Sequence, residues 1–123
     1  MAMNPQEFRQ VFKVATRTHW ERARATGALA VSSDDERDGF IHLSAAHQLA
    51  GTLAKYFKSQ TDLVLIEFDT AALGQTLRWE ASRGNDLFPH LYGPLQTSAV
   101  RSVFPLQLGA NGTHILPQSL CKC

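Results

Sequence analysis

The sequence predicts an α+β domain, with two helices packed on a mixed, largely antiparallel sheet. Three observations carry that prediction. After Ser44 the apolar residues Ala46, Leu49, Ala50, Leu53 and Phe57 fall at the spacing of one buried helical face. The run Asp62-Leu63-Val64-Leu65-Ile66-Glu67-Phe68-Asp69 is compact and apolar with a polar end, as a central strand would be. Between Leu77 and Leu106, short strand-like pieces are separated by turn residues, without a long helical pattern.

The elements follow in order. Val11-Phe12-Lys13-Val14-Ala15 alternates loosely and reads as a first strand. Thr18-His19-Trp20-Glu21 has the form of a capping box and predicts a helix from Thr18 to about Thr26. Gly27 then stops it in the left-handed conformation. Ser32 to Asp38 carries four acids and reads as a solvated loop; Phe40 to Leu43 is the second strand. Ser44 is placed as the N-cap of the clearest helix. Ala71 to Gly74 is a turn or helical fragment, and Leu77 to Ala81 is another strand. Ser82 to Leu95, with Gly84, Asn85, Pro89, Gly93 and Pro94, reads as a structured loop with at most short strands. Thr97 to Leu106 closes the sheet. The expected organisation is one domain over residues 11–106, an extension over 1–10 and an irregular tail over 107–123.

Composition limits the function classes. At 123 residues, 44% hydrophobic and 19% charged, the chain has the makeup of a globular domain with one core. A net charge of +1 provides no global field for nucleic acid or an anionic membrane. That leaves room for a small anionic ligand held by a few arginines. No apolar run approaches the ~20 residues that span a bilayer, and Met1 to Gln10 lacks a secretory pattern, so cytoplasm is expected. Cys121 and Cys123 lie too near the end to staple the fold.

Two runs concentrate the chemistry. Asp38-Gly39-Phe40-Ile41-His42-Leu43-Ser44 sets one imidazole in an apolar strand, where its ring needs a partner or a substrate. Trp79-Glu80-Ala81-Ser82-Arg83 through Phe88-Pro89-His90-Leu91-Tyr92 supplies a carboxylate, a guanidinium, a second imidazole and a phenol. The expectation is that both runs meet in one cleft built from His42, Ser44, Glu80, Arg83, His90 and Tyr92. His42 is a catalytic or ligand-binding imidazole, or else a core histidine bonded to backbone or carboxylate. Ser44 is a helix cap or a ligand-binding hydroxyl. One of Trp79 and Glu80 points inward; if it is Glu80, it acts as a base or stabilises a developing cation. Arg83, before a Gly-Asn turn, suits phosphate or carboxylate. His90 and Tyr92 project the same way if their segment is extended. His42, His90 and Glu80 also match a mononuclear metal ligand set, but no short His spacing supports it, and a metal-free cleft is preferred.

The segments Asp38-Gly39-Phe40-Ile41-His42-Leu43-Ser44, Asp62-Leu63-Val64-Leu65, Leu77-Arg78-Trp79-Glu80 and Phe88-Pro89-His90-Leu91-Tyr92-Gly93-Pro94 resemble a bacterial family known only as domain of unknown function 952. The resemblance runs from about Val11 to Leu106. Phe40-Ile41-His42-Leu43-Ser44, a helix, and Leu63 to Asp69 are also similar to part of the RNA 2′-phosphotransferases, NAD-using enzymes with an ADP-ribosyltransferase-like fold. The chain has Arg17-Thr18-His19 where those enzymes carry an Arg-His pair, and Gly39-Phe40 instead of an Arg before the His strand. This second resemblance implies an NAD or nucleotide-like ligand and group transfer or hydrolysis. In that scheme His42 orients ribose or phosphate, Glu80 is base or oxocarbenium stabiliser, Arg83 neutralises phosphate, Tyr92 stacks on a ring, and His90 is acid or ligand. The alternative is a non-enzymatic module for a small anion or a partner.

Overall fold

A computed structural model of the chain describes residues 9–30 and 33–117. In chain order the elements are β1 (Gln10–Thr16), α1 (Arg17–Thr26), β2 (Ala28–Leu29), α2 (Ser33–Asp38), β3 (Ile41–His42), α3 (Leu49–Tyr56), β4 (Leu63–Asp69), α4 (Thr70–Leu73), β5 (Leu77–Ala81), β6 (Leu87–Leu91), β7 (Leu95–Gln96), β8 (Val100–Leu108) and β9 (His114–Ile115). The class is α+β, and every strand pair among the described residues is antiparallel. No helix among them is long and apolar enough to cross a membrane.

The main sheet has the order β1-β4-β8-β9, with β4 flanked by β1 and β8. The expectation of a central strand over Leu63 to Asp69 rests on its unbroken apolar run, and the packing explains that run. Leu63 and Leu65 join Phe12, Val14, Leu49, Leu53 and Leu106 on one face, under α3. Val64, Ile66 and Phe68 join Val11, Ala15, Ala23, Ile41, Leu43 and Leu91 on the other. A strand buried on both sides has no reason to alternate with polar residues. The second core is closed by α1 and by a separate three-stranded sheet of order β3-β6-β5, while β2 pairs with β7. The expected single sheet is thus three ladders.

Several local expectations are corrected. The N-cap of α1 is Thr16, whose hydroxyl accepts from the His19 N–H at 3.1 Å, so Thr18 lies within the helix. The last residue of β1 already has extended backbone, which is what a cap requires, and the helix starts two residues early. Gly27 stops α1 as expected, at φ 93°, and its N–H donates to Ala23 O at 2.7 Å. The acidic stretch read as loop contains α2, and its Asp35 is buried. Ser44 does not cap a helix: its backbone exchanges two hydrogen bonds with Phe12, and a 3₁₀ turn over Ala46–Gln48 precedes α3. There Gln48 accepts from the Ala45 N–H and donates to Leu87 O. On α3, Leu49 and Leu53 are buried, whereas Ala50 is exposed. Residues after Leu106 do not remain irregular: β8 continues to Leu108, and β9 folds back on it, with His114 buried and bonded to Gln60 O at 2.7 Å. Most of the 1–10 extension, and Cys121 and Cys123, lie outside the described residues.

Candidate functional site

The site is built by the two-residue period of the β3-β6-β5 sheet. Ile41 pairs with Leu91 and Leu77 pairs with Leu91, and all three turn toward the core with Trp79. The next residues in each strand therefore point outward. His42 pairs with His90, Arg78 with His90, and Glu80 with Phe88. The inward residue of the Trp79-Glu80 pair is thus Trp79, and Glu80 is free to meet the two groups from β6 and its end.

Glu80 Oε1 is 2.9 Å from Nδ1 of His90 and accepts from the Tyr92 hydroxyl at 2.7 Å. The His42 and His90 ring centres are 5.7 Å apart. Phe40 lies stacked on His90 at 4.0 Å and is 4.7 Å from the His42 ring and 5.3 Å from that of Tyr92. The structure therefore brings His42, Glu80, His90 and Tyr92 together. The Arg78 guanidinium sits 5.3 Å over the Tyr92 ring, within cation–π range. Among the described residues, no group of three or more His, Cys, Asp or Glu is arranged to hold a metal ion.

His42 has an anchor that no sequence signal marked. Asp35 Oδ1 lies 2.6 Å from Nδ1 of His42 and accepts from the His42 backbone N–H at 3.1 Å. Its other oxygen takes Lys13 Nζ at 3.2 Å, and Lys13 also donates to His42 O. On the far side of the ring, Nε2 is 2.9 Å from Asp38 Oδ2. Carboxylates only accept, so the ring satisfies both as an imidazolium. The hydrogen bond to Asp35 outweighs burial and raises the His42 pKa. Burial alone would raise the Asp35 carboxyl, but the His42 ring and the Lys13 charge together hold it well below the usual carboxylate range. Glu80 is also lowered, first by the Tyr92 hydroxyl and then by His90, and Tyr92 is raised in return.

The remaining expected residues sit differently. Ser44 is buried, its hydroxyl 3.0 Å from that of Thr52 in α3. The backbone of Arg83 lies in a 3₁₀ turn over Arg83–Asn85, while its side chain lies outside what the structure describes. The expected cleft is also not a hollow. The cluster is a partly open face, with the His42 and Glu80 side chains 36% and 38% exposed and that of His90 only 5%. A shallow hollow of about 200 Å³ adjoins it, lined by Asp35, Glu36, Gly39, Phe40, Ile41, Leu91 and Gly93. Sequence reasoning missed Asp35 because four acids in seven residues look solvated. Arg78 was legible in principle, two positions before Glu80 on the same strand face.

Comparison with known proteins agrees with this architecture and assigns no chemistry to it. No curated protein matches the chain. The crystal structure of protein CC0527 from Caulobacter crescentus is 44% identical, with a TM-score of 0.85 over 90% of this chain and 97% of that one. The solution structure of the same protein, also 44% identical, gives 0.82 over 91% and 97%. A crystal structure of its double mutant is 43% identical, again at 0.85 over 90% and 97%. Residues 14–103 match the family model described as "Protein of unknown function (DUF952)", and the chain belongs to that family.

Proposed function

We propose that the chain binds a small nucleotide-like ligand, of NAD or ADP-ribose type, on the outer face of the β3-β6-β5 sheet and acts on it by group transfer or hydrolysis. The observation that carries this reading is the cross-strand pair His42–His90 with Glu80 bonded beside it. The charges divide the labour. Arg78 supplies positive charge for phosphate, with Arg83 of the neighbouring turn as a second cation. The imidazolium of His42, held on its inner side by Asp35, orients ribose or phosphate by exchanging its outer partner, Asp38. The exposed Tyr92 ring offers a stacking surface. Glu80, held ionised, accepts a proton or stabilises an oxocarbenium-like centre. His90 is the acid or a ligand contact. The similarity of the His42 strand to the RNA 2′-phosphotransferases supports the ligand class by analogy of fold.

Titration of ¹⁵N-labelled protein with NAD, ADP-ribose and simple nucleotides tests the reading. Binding is expected to shift the side-chain resonances of His42 and His90; no shift at millimolar ligand removes the nucleotide reading. A second reading, a non-enzymatic anion-binding module, is favoured by the way the polar groups already satisfy one another, since Glu80 has two donors and His42 two carboxylates. Glu80→Gln separates the two: an enzyme loses turnover with binding kept, whereas a module shows unchanged binding and no turnover in either form.

A further inference from the structure

We infer that Phe40 occupies the subsite for the ligand's planar ring and leaves it for the adjoining hollow when the ring arrives. This rests on the nucleotide-like reading of the same face and makes it specific: the ligand must bring a heteroaromatic base, and the base stacks on His90. Three observations meet at Phe40. Its ring covers His90 as a stacked ligand would, 4.0 Å between centres with 25° between planes. It leaves His90 only 4% exposed, although His90 holds the carboxylate at the heart of the cluster. His42 and Tyr92 close the ring's sides, at 4.7 and 5.3 Å. That is a slot for one flat ring, filled from within the chain.

The slot's occupant also has somewhere to go. The hollow of about 200 Å³ has Phe40 as one wall, with Ile41, Leu91, Gly39 and Gly93 around it and the acids Asp35 and Glu36 at its side. That exceeds the roughly 150 Å³ of a cavity that takes up benzene, enough room for a displaced ring. Gly39 precedes Phe40 at φ 83°, and nothing lies within 4 Å of where its Cβ would be. Phe40 lies between α2 and β3, outside both elements. A ring ligand therefore competes with Phe40, while a ligand without a ring does not.

The probes are adenosine monophosphate and ribose 5-phosphate, which share a sugar phosphate and differ in the base. In Phe40→Ala, adenosine monophosphate is expected to bind tenfold or more tightly than in the wild type, with ribose 5-phosphate unchanged. Equal or weaker binding of adenosine monophosphate in Phe40→Ala overturns the inference and leaves the proposed function standing. Absence of adenosine monophosphate binding in both proteins overturns both. The wild-type protein supplies a check that needs no variant. The nuclear Overhauser contact between Phe40 and His90 ring protons is expected to vanish at saturation and be replaced by one from the adenine ring to His90. Its persistence at saturation overturns the inference.

Discussion

Asp35 and His42 are joined twice through one oxygen: Oδ1 of the carboxylate meets the ring Nδ1 at 2.6 Å and the backbone N–H at 3.1 Å. Both the orientation of the imidazole and the path of β3 thus depend on one buried side chain from α2. Lys13 of β1 completes the link, since it bonds both Asp35 and His42 O. The outer sheet is tied to the inner one by charge at the point where the site begins.

Asp35→Ala is expected to destabilise the fold by about 3–5 kcal/mol, because it strands the largely buried Lys13 ammonium without its counter-charge. Urea unfolding measures it. A loss below about 1 kcal/mol would show that the pair holds nothing together.

Stability should depend on pH through both partners, with opposite signs. His42 titrates above its ordinary value of 6.5, so its contribution is full below that pH and is lost as pH rises through the folded value. Asp35 titrates below its ordinary 3.8, so its contribution is present above that pH and is lost only toward strong acid. In Asp35→Asn the His42 titration, followed by its ring proton shifts, should move downward. An unmoved titration would assign the shift to Asp38 instead.

Glu80→Gln should lower the Tyr92 pKa back toward 10.0, since the hydrogen bond to Glu80 is the first cause of its elevation. Phenolate absorbance against pH, compared between the wild type and Glu80→Gln, reads this directly. A midpoint for Tyr92 that stays elevated would mean that Glu80 is not its partner in solution.

The two candidate caps of α1 make a clean comparison. Thr16→Ala should cost about 1 kcal/mol by losing the acceptor for the His19 N–H, a typical value for an N-cap. Thr18→Ala, an exposed change inside the helix, should stay within about 0.5 kcal/mol. Thermal or urea unfolding of both variants decides it, and the reverse order would restore the capping box.

Much of the fold was legible because local pattern and burial agree. The stop at Gly27, the apolar stripe on α3 and the unbroken run of β4 each follow from what their immediate neighbours demand. The α+β class and the family follow from those elements and from motifs in fixed order. Even the company of His42, Glu80, His90 and Tyr92 was anticipated from the density of polar groups in two runs.

Tertiary structure alone decided which of those groups is anchored, and by what. Asp35 belongs to the site because β1 delivers Lys13 to it and α2 turns it inward, two events separated by 22 residues of chain. Ser44 leaves the site because its backbone bridges to Phe12 and its hydroxyl finds Thr52. The division has a physical reason. Periodicity and capping are set by neighbours a few residues apart, and a sequence records them directly. The fate of a charge depends on desolvation against whatever partner the folded chain brings near, and that is a property of packing.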